Sequence, residues 1–283
     1  MKKILYPILA VMAFFILQAG LGVIISVVAI ALHPEASKTA LASGDSNALM
    51  EQVGTEWLSI AVILSGVLTI AVLALLKMID WKSVLNMKMI DWKWGFFGIV
   101  AAIAGIFVLD IAEEMMDLPN LMEDTFTNMS NSIVGALCIG VVGPIIEEFI
   151  FREGVEGYML RNGVNKWVAI IGSALAFGII HLNPAQVPFA AAMGIILGIL
   201  YYKSGNIVLT SILHILNNSV AVWQMYSMGE SAKDFSLTEA LGTSTICCVI
   251  IGSWLCVFLL MEFWKFYQSK QQAIPDLKTD INN

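Results

Sequence analysis

Long apolar segments recur along this chain, and they constrain its fold more than any other feature. A helix needs about 20 apolar residues to cross the hydrocarbon core of a bilayer, and the first segment alone, residues 5–32, exceeds that length. Soluble domains are about 45 to 50% apolar and about 25% charged, whereas this chain of 283 residues is 58% apolar and 13% charged. The sequence therefore predicts an all-α, polytopic integral membrane protein.

Eight segments qualify as transmembrane helices, and we expect them to enclose an intramembrane cavity. They are residues 5–32, 57–76, 94–111, 133–151, 167–182, 187–202, 207–223 and 245–266. The first is longer than the roughly 7 to 15 apolar residues of a signal peptide, so we expect it to be retained. We interpret residues 1–283 as one integral membrane domain with a polar cytoplasmic tail, 267–283.

The basic residues predict the orientation of these helices. In an eight-span arrangement, 13 of the 15 lysines and arginines fall on one side, and only Lys38 and Lys233 fall on the other. The positive-inside rule then places both termini in the cytoplasm. We expect a bacterial plasma membrane because no organelle signal is visible, and no basic tract suggests nucleic acid as a partner.

Three other features have structural interpretations. The near-repeat of residues 77–82 and 88–93 combines tryptophan with lysine, which is typical of a helix or loop at the membrane interface. His33 lies at the outer end of the first span, where we expect a surface residue. All four cysteines lie in apolar runs without a CxxC pair, and we interpret them as small core residues.

The stretch with the sequence GPIIEEFIFR, residues 143–152, places two acids and a base at the end of an apolar run. A charge at the centre of a membrane helix costs about 2.5 to 3.5 kcal/mol on insertion scales, so such residues suggest a functional site. Glu148 and Arg152 are four residues apart and can pair on a helix. Glu147 then projects away and could serve as a base. Alternatively, both acids lie with Arg152 at the cytoplasmic boundary.

Two details of the surrounding sequence qualify this stretch. Pro144 removes a backbone hydrogen bond and predicts a kink before the two acids. A second acidic pair, Glu113 and Glu114, closes the third span but has no arginine four residues later. We expect that second pair to lie in water at a helix end.

Two further histidines lie in or at the ends of later spans. Asn218 follows His214 by one helical turn, so the two side chains share one face. Phe177 precedes His181 by the same interval. Each histidine alone could be a hydrogen-bonded core residue.

Three short motifs, in this order on three helices, resemble those of the CPBP intramembrane proteases. They are Glu147-Glu148-xxx-Arg152, Phe177-xxx-His181 and His214-xxx-Asn218. The family includes type II CAAX prenyl endopeptidases and bacterial proteins linked to bacteriocin processing and self-immunity. The resemblance covers residues 147–218 without a departure at the motif positions, and we assign residues 131–223 as the catalytic core. It implies an endopeptidase acting on a membrane-associated peptide or protein.

The resemblance also implies roles for the motif residues. Glu147 and His181 would activate a water for attack on a peptide carbonyl. His214 and Asn218 would stabilise the oxyanion, a role in which one donor is worth about 2.7 to 4 kcal/mol. No property of the sequence indicates which peptide is cleaved or whether it is prenylated.

The sequence leaves the participation of a metal open. The family has also been treated as metalloproteases, and two histidines with a glutamate form a catalytic zinc ligand set. Here the ligands would be Glu147, His181 and His214, although no HExxH motif is present. We favour the metal-free version, in which Glu148 and Arg152 hold the geometry and charge of the site.

The depth of His181 presents a difficulty. At about 1.5 Å per residue, His181 lies roughly 22 Å from Lys166, deeper than the other motif residues. Either the fifth helix tilts or begins above the membrane surface, or the short fifth and sixth spans form a hairpin that does not fully cross. The second alternative requires the Asn183–Pro184 turn to be buried in protein or to line a wet cavity.

Two functions from other classes remain as alternatives to an endopeptidase. One is a non-catalytic immunity or scaffold protein of the same fold that acts by binding. The other is a proton- or ion-coupled transporter that uses Glu147, Glu148 and His181 as a relay, but the spans show no repeat relating two halves.

Overall fold

A computed structural model of the chain describes residues 2–32, 34, 38, 54–84, 91–232 and 235–273. Within these ranges all regular secondary structure is helical, which confirms the all-α, polytopic membrane fold. Several expectations lie outside the described residues, namely those for His33, for residues 88–90 of the near-repeat, for Lys233 and for the end of the polar tail.

Eight helices form the body of the described chain. They are α1 Lys2–Leu32, α2 Glu56–Leu75, α3 Trp92–Met116, α4 Ile133–Arg161, α5 Lys166–Ile180, α6 Gln186–Ser204, α7 Ile207–Met228 and α8 Thr245–Ala273. By length and composition, seven helical segments in the described ranges can cross a membrane, and α5 is the shorter apolar helix. Its 15 residues give a length of about 22 Å, which is less than the roughly 30 Å of the hydrocarbon core.

Polar residues set the beginnings of several helices. The first backbone N–H groups of a helix have no intrahelical acceptor, and a side-chain oxygen can bind one of them. The Asn165 side chain accepts from Trp167 N at 2.9 Å where α5 begins. Asn206 accepts from Val208 N at 2.8 Å where α7 begins. These caps explain why the helices begin at the short polar breaks between the apolar runs.

Glycines allow the central helices to approach closely. A Cβ at Gly194 of α6 would lie 3.0 Å from Ala174 Cα of α5. At Gly198, one turn later, a Cβ would lie 2.9 Å from an oxygen of Glu156 on α4. The GxxxG pair in the sequence therefore lies where α6 packs against both helices, as such motifs commonly do.

Asn183, in the turn between α5 and α6, is buried in protein. It has no exposed surface, and its side chain accepts from Leu121 N at 3.0 Å and donates to Asn120 Oδ1 at 2.8 Å. Leu182 precedes it with an exposed side chain and a φ of 51°, a left-handed conformation that is unusual for leucine. The condition for a short hairpin is thus met at Asn183, because protein groups satisfy its side-chain amide.

A second buried polar cluster attaches the end of α4 to its neighbours. Glu153 accepts from the Tyr201 hydroxyl at 2.6 Å and from Asp80 N at 2.9 Å. Arg161 pairs with Glu153 at 2.5 Å and donates to Met78 O at 2.6 Å. Met78 and Asp80 of the near-repeat thereby contact α4. Trp81 of the near-repeat begins a short helix, Trp81–Val84.

The second acidic pair lies at a helix end, as predicted, and Glu114 is partly exposed. Helix α3 continues past the predicted end of the third span to Met116. Glu114 accepts hydrogen bonds from the Ser236 hydroxyl and from the Thr238 hydroxyl, the latter at 2.7 Å. The segment before α8 thus supplies hydroxyl donors that spacing along the chain does not reveal.

Candidate active site

Helix α4, which carries the two adjacent acids, is irregular on both sides of them. It is π-helical over Cys138–Val142 and again over Glu148–Gly157, with an α-helical turn, Gly143–Glu147, between. In the first π segment Gly143 N–H donates to Cys138 O, five residues earlier. Pro144 follows directly, so the predicted backbone distortion takes the form of widened turns. Such π segments are frequent at functional sites.

The buried part of the site is a line of three charged residues on α4. Arg152 lies between Glu148 and Glu156, with its Nε 3.3 Å from Glu148 Oε2 and its Nη1 4.0 Å from Glu156 Oε2. All three side chains have no exposed surface. The Ser173 hydroxyl of α5 accepts from Arg152 Nη1 at 3.3 Å. The predicted Glu148–Arg152 pair is therefore present, and Glu156 is a second acid at the same guanidinium.

His214 of α7 lies between the two adjacent acids. Its Nδ1 is 3.0 Å from Glu148 Oε1, and its Nε2 is 3.5 Å from Glu147 Oε2. The Glu148 side chain is fully buried, whereas the Glu147 side chain keeps 25% of its surface exposed. This difference matches the predicted division, in which Glu148 is held internally and Glu147 remains accessible.

Phe177 connects the histidines with the arginine. The buried Phe177 ring makes edge-on contacts with His181, at 5.0 Å between centroids, and with His214, at 5.6 Å. The Arg152 guanidinium carbon lies 5.2 Å from the centroid of the same ring. Cations are attracted to aromatic faces. One phenylalanine thus contacts three of the motif side chains, which come from three helices.

His181 has a defined hydrogen bond at one ring nitrogen. It terminates α5, and its Nδ1 is 2.8 Å from Phe177 O. A carbonyl oxygen only accepts, so Nδ1 carries a proton, and in the neutral ring Nε2 is then the acceptor nitrogen. Among the described residues His181 forms no ion pair with Glu147, so the two groups expected to share a water do not contact each other directly.

Asn218 and its neighbour contact the backbone of α4. Asn218 Nδ2 donates to Ile139 O at 3.1 Å, and the Ser219 hydroxyl donates to Gly140 O at 3.2 Å. A side-chain amide carries two hydrogens, so one remains for another acceptor. The sequence singled out Asn218 but gave no signal for Ser219 or Ser173, whose partners lie on another helix. Glu156 was missed, although it follows Arg152 by one helical turn, a spacing that could have indicated the pair.

The residues as placed do not fit a metal centre. The ligand set suggested by the sequence was Glu147, His181 and His214. Only Glu147 and His214 of these lie together, and both nitrogens of His214 face carboxylates. No group of three or more histidine, cysteine, aspartate or glutamate side chains that could hold a metal ion occurs in the described part of the chain. We derive no step through a metal.

A groove of about 410 Å³ runs between the beginning of α4 and the end of α7. Its walls include Ile133, Gly140, Ser219, Trp223 and Tyr226. It therefore reaches the hydrogen-bonded contact between the two helices beside Asn218.

Comparisons with known proteins found similarity in the part of the chain that carries these residues. Residues 129–220 match a family model described as Type II CAAX prenyl endopeptidase Rce1-like. The Bacillus subtilis (strain 168) protein named "Putative membrane peptidase YdiL" is 32% identical over 82 residues, which cover 29% of this chain and 33% of that protein. The match therefore spans about a third of that relative's length. No solved structure matches the chain.

The residues brought together by α4, α5 and α7 all lie inside the matched segment. The order of the motifs, the membrane helices that carry them and both comparisons all indicate a resemblance to membrane peptidases. Residues 129–220 are accordingly similar to the Rce1-like type II CAAX prenyl endopeptidases, which supports the resemblance to the CPBP proteases predicted from the motifs.

Proposed function

We propose that this protein is an intramembrane endopeptidase that hydrolyses a peptide bond in a membrane-associated peptide or protein. The observation that carries the proposal is the contact of His214 with both Glu147 and Glu148 inside a segment of this family. Ionisable residues inside membrane helices are costly and mark functional sites. The proposed location is a bacterial plasma membrane, with both termini in the cytoplasm.

In the proposed reaction Glu147 and His181 activate a water. The Glu147 carboxylate is the exposed acid of the adjacent pair, so it can meet a water and a substrate. His181 presents Nε2 as an acceptor, because its Nδ1 proton is bound to Phe177 O. One of these bases takes a proton as the water oxygen attacks the peptide carbonyl carbon. The proton then passes to the leaving nitrogen when the C–N bond breaks.

His214 and Asn218 are the proposed donors to the oxyanion. The ionised Glu148 carboxylate only accepts, so it holds the proton on His214 Nδ1 at 3.0 Å. His214 Nε2 then faces the reacting region beside Glu147. Donation from Nε2 to the oxyanion requires the doubly protonated ring, because a neutral ring with its proton on Nδ1 has only an acceptor at Nε2. Asn218 uses one amide hydrogen on α4 and offers the second to the oxyanion. Preorganised donors of this kind are effective because they need no rearrangement during the reaction.

The proposal is tested by cleavage in reconstituted membranes. Purified protein in liposomes is mixed with a peptide library that contains farnesylated and unmodified members, and products are identified by mass spectrometry. We expect Glu147→Gln and His181→Ala to lower the cleavage rate at least 100-fold, the lower range for a positioned base. A parent rate retained by either variant would overturn its assigned role.

The matched control is Glu262→Gln in α8. Glu262 pairs with Lys265 at 2.6 Å on an exposed surface, and its neutralisation should leave cleavage unchanged. Absence of any cleaved member with the parent protein, while a cellular phenotype survives Glu147→Gln, would favour the binding role instead. The farnesylated and unmodified members together decide whether a prenyl group is recognised.

A further inference from the structure

Two neighbouring polar side chains of α7 donate to two neighbouring carbonyls of α4. Asn218 Nδ2 is 3.1 Å from Ile139 O, and Ser219 Oγ is 3.2 Å from Gly140 O. Hydroxyl groups in a membrane helix usually bond within their own helix. Ser227 of α7 does so, to Gln224 O at 3.3 Å, whereas the Ser173 hydroxyl of α5 donates to Phe151 O of α4 at 2.7 Å. The cause of the bond of Ser219 to α4 can therefore lie in the acceptor carbonyl.

Pro144 supplies that cause. Proline has no backbone N–H, so one carbonyl earlier in the helix loses its donor. In α-helical register that carbonyl belongs to residue 140, four positions back, and in π-helical register it belongs to residue 139, five positions back. The turn before Pro144 is π-helical and the turn that contains it is α-helical. The two carbonyls at issue are thus the ones that accept from α7.

We propose that Asn218 and Ser219 replace the donor that Pro144 lacks, and that Ser219 is thereby a positioning residue for Glu147. An unsatisfied carbonyl is costly in a membrane, where backbone groups rely on protein donors. Glu147 lies three residues after Pro144, in the α-helical turn that follows this junction. The same face of α7 carries His214, one turn before Asn218. Helix α7 therefore contacts α4 twice, once at the junction before Glu147 and once, through His214, at Glu147 and Glu148.

The donor replacement stands on geometry alone, whereas the positioning of Glu147 rests on the proposed endopeptidase function. The experiment separates the two. Thermal unfolding and hydrogen–deuterium exchange in lipid nanodiscs test the hydrogen bonds whether or not the protein cleaves anything. The cleavage rate per folded molecule tests the positioning.

The first measurement is a double-mutant cycle between Ser219→Ala and Pro144→Ala. Alanine at position 144 restores the N–H, so the Ser219 hydroxyl should matter less in that background. We expect Ser219→Ala to lower the Tm by about 2 to 4 °C in the parent, roughly one hydrogen bond in a chain of this size. It should also speed deuterium uptake in residues 138–147. Both effects should fall by at least half in the Pro144→Ala background.

Equal effects in the two backgrounds would overturn the donor replacement. If Pro144→Ala does not fold, Ser219→Thr and Ser219→Val decide, because only threonine keeps the hydroxyl. Threonine should then retain the parent Tm and exchange rate, and valine should lose them. A valine variant equal to the threonine variant would overturn the proposal. Ser227→Ala is the matched control and should change none of these quantities.

The second measurement concerns catalysis. We expect Ser219→Ala to lower kcat about fivefold with KM unchanged, the rate equivalent of one lost hydrogen bond, and Ser219→Thr to restore it. A residue that only stabilised the fold would change the folded fraction but leave kcat per folded molecule unaltered. That outcome would overturn the positioning role while leaving the donor replacement intact. The positioning role would also be overturned if Glu147→Gln abolished cleavage while Ser219→Ala left kcat unchanged.

Discussion

Replacing Arg152 by methionine should remove the one cation that three buried groups share. Its guanidinium lies 3.3 Å from Glu148, 3.3 Å from Ser173 and 4.0 Å from Glu156. It also lies 5.2 Å from the Phe177 ring. Methionine fills much of the same volume but leaves two acids buried without a cation.

The expected loss in the free energy of unfolding is about 3 to 5 kcal/mol, the cost of removing one partner from a buried ion pair. The lost cation–π contact adds about 0.5 to 2 kcal/mol. Whole domains are stable by only about 5 to 15 kcal/mol, so the variant should unfold far more easily. The exposed Glu262–Lys265 pair is the internal comparison, because Lys265→Met should cost about 1 kcal/mol or less.

The assay is equilibrium unfolding of purified protein in mixed micelles by titration with sodium dodecyl sulfate, followed by circular dichroism. A variant that also carries Glu148→Gln and Glu156→Gln has no buried charge without a partner, and it should recover more than half of the loss. If Arg152→Met does not accumulate, Arg152→Lys should be destabilised by less, because lysine keeps the charge but not the planar fork. A loss below about 1 kcal/mol for Arg152→Met, or no recovery on neutralisation, would refute the reasoning.

Two further substitutions test the packing around this line of charges. Gly198→Ala places a Cβ 2.9 Å from a Glu156 oxygen and should cost about 1 to 3 kcal/mol in the same unfolding assay, whereas Gly172→Ala, whose Cβ would meet only one atom at 4.0 Å, should be neutral or stabilising. Tyr201→Phe removes the hydroxyl that donates to Glu153 at 2.6 Å and should cost about 1.5 to 3 kcal/mol, as for hydrogen bonds to charged groups; an unchanged midpoint would contradict the assigned bond.

The membrane helices were predictable because the bilayer imposes a length and a polarity on every span. Residues 133–161 show the limit of that reasoning. The apolar run predicted a helix continuing towards Arg161, and the structure has one. Its two π-helical segments were not predictable from periodicity, and the donor that Asn218 supplies to the first of them comes from another helix. The bond between Asn183, just after α5, and Asn120 likewise joins residues that are distant along the chain.

The site was predictable where its contacts are local. Glu148 and Arg152 pair at the helical spacing that predicted them. The position of His214 between two acids was not predictable, because it depends on how α7 is rotated against α4. The joint activation of a water by Glu147 and His181 rested on family resemblance, and it stays a prediction. The structure adds a contact of Glu147 with His214.

The Phe177 ring has a consequence for substitutions among the motif side chains. A phenylalanine has only two side-chain torsions, and this ring is almost fully buried. The ring lies in T-shaped contact with His181 and with His214, and its face lies near the Arg152 guanidinium. Side chains from α4, α5 and α7 therefore meet at one ring with few torsions of its own. A substitution at Phe177 should change the surroundings of both histidines and of the guanidinium at once.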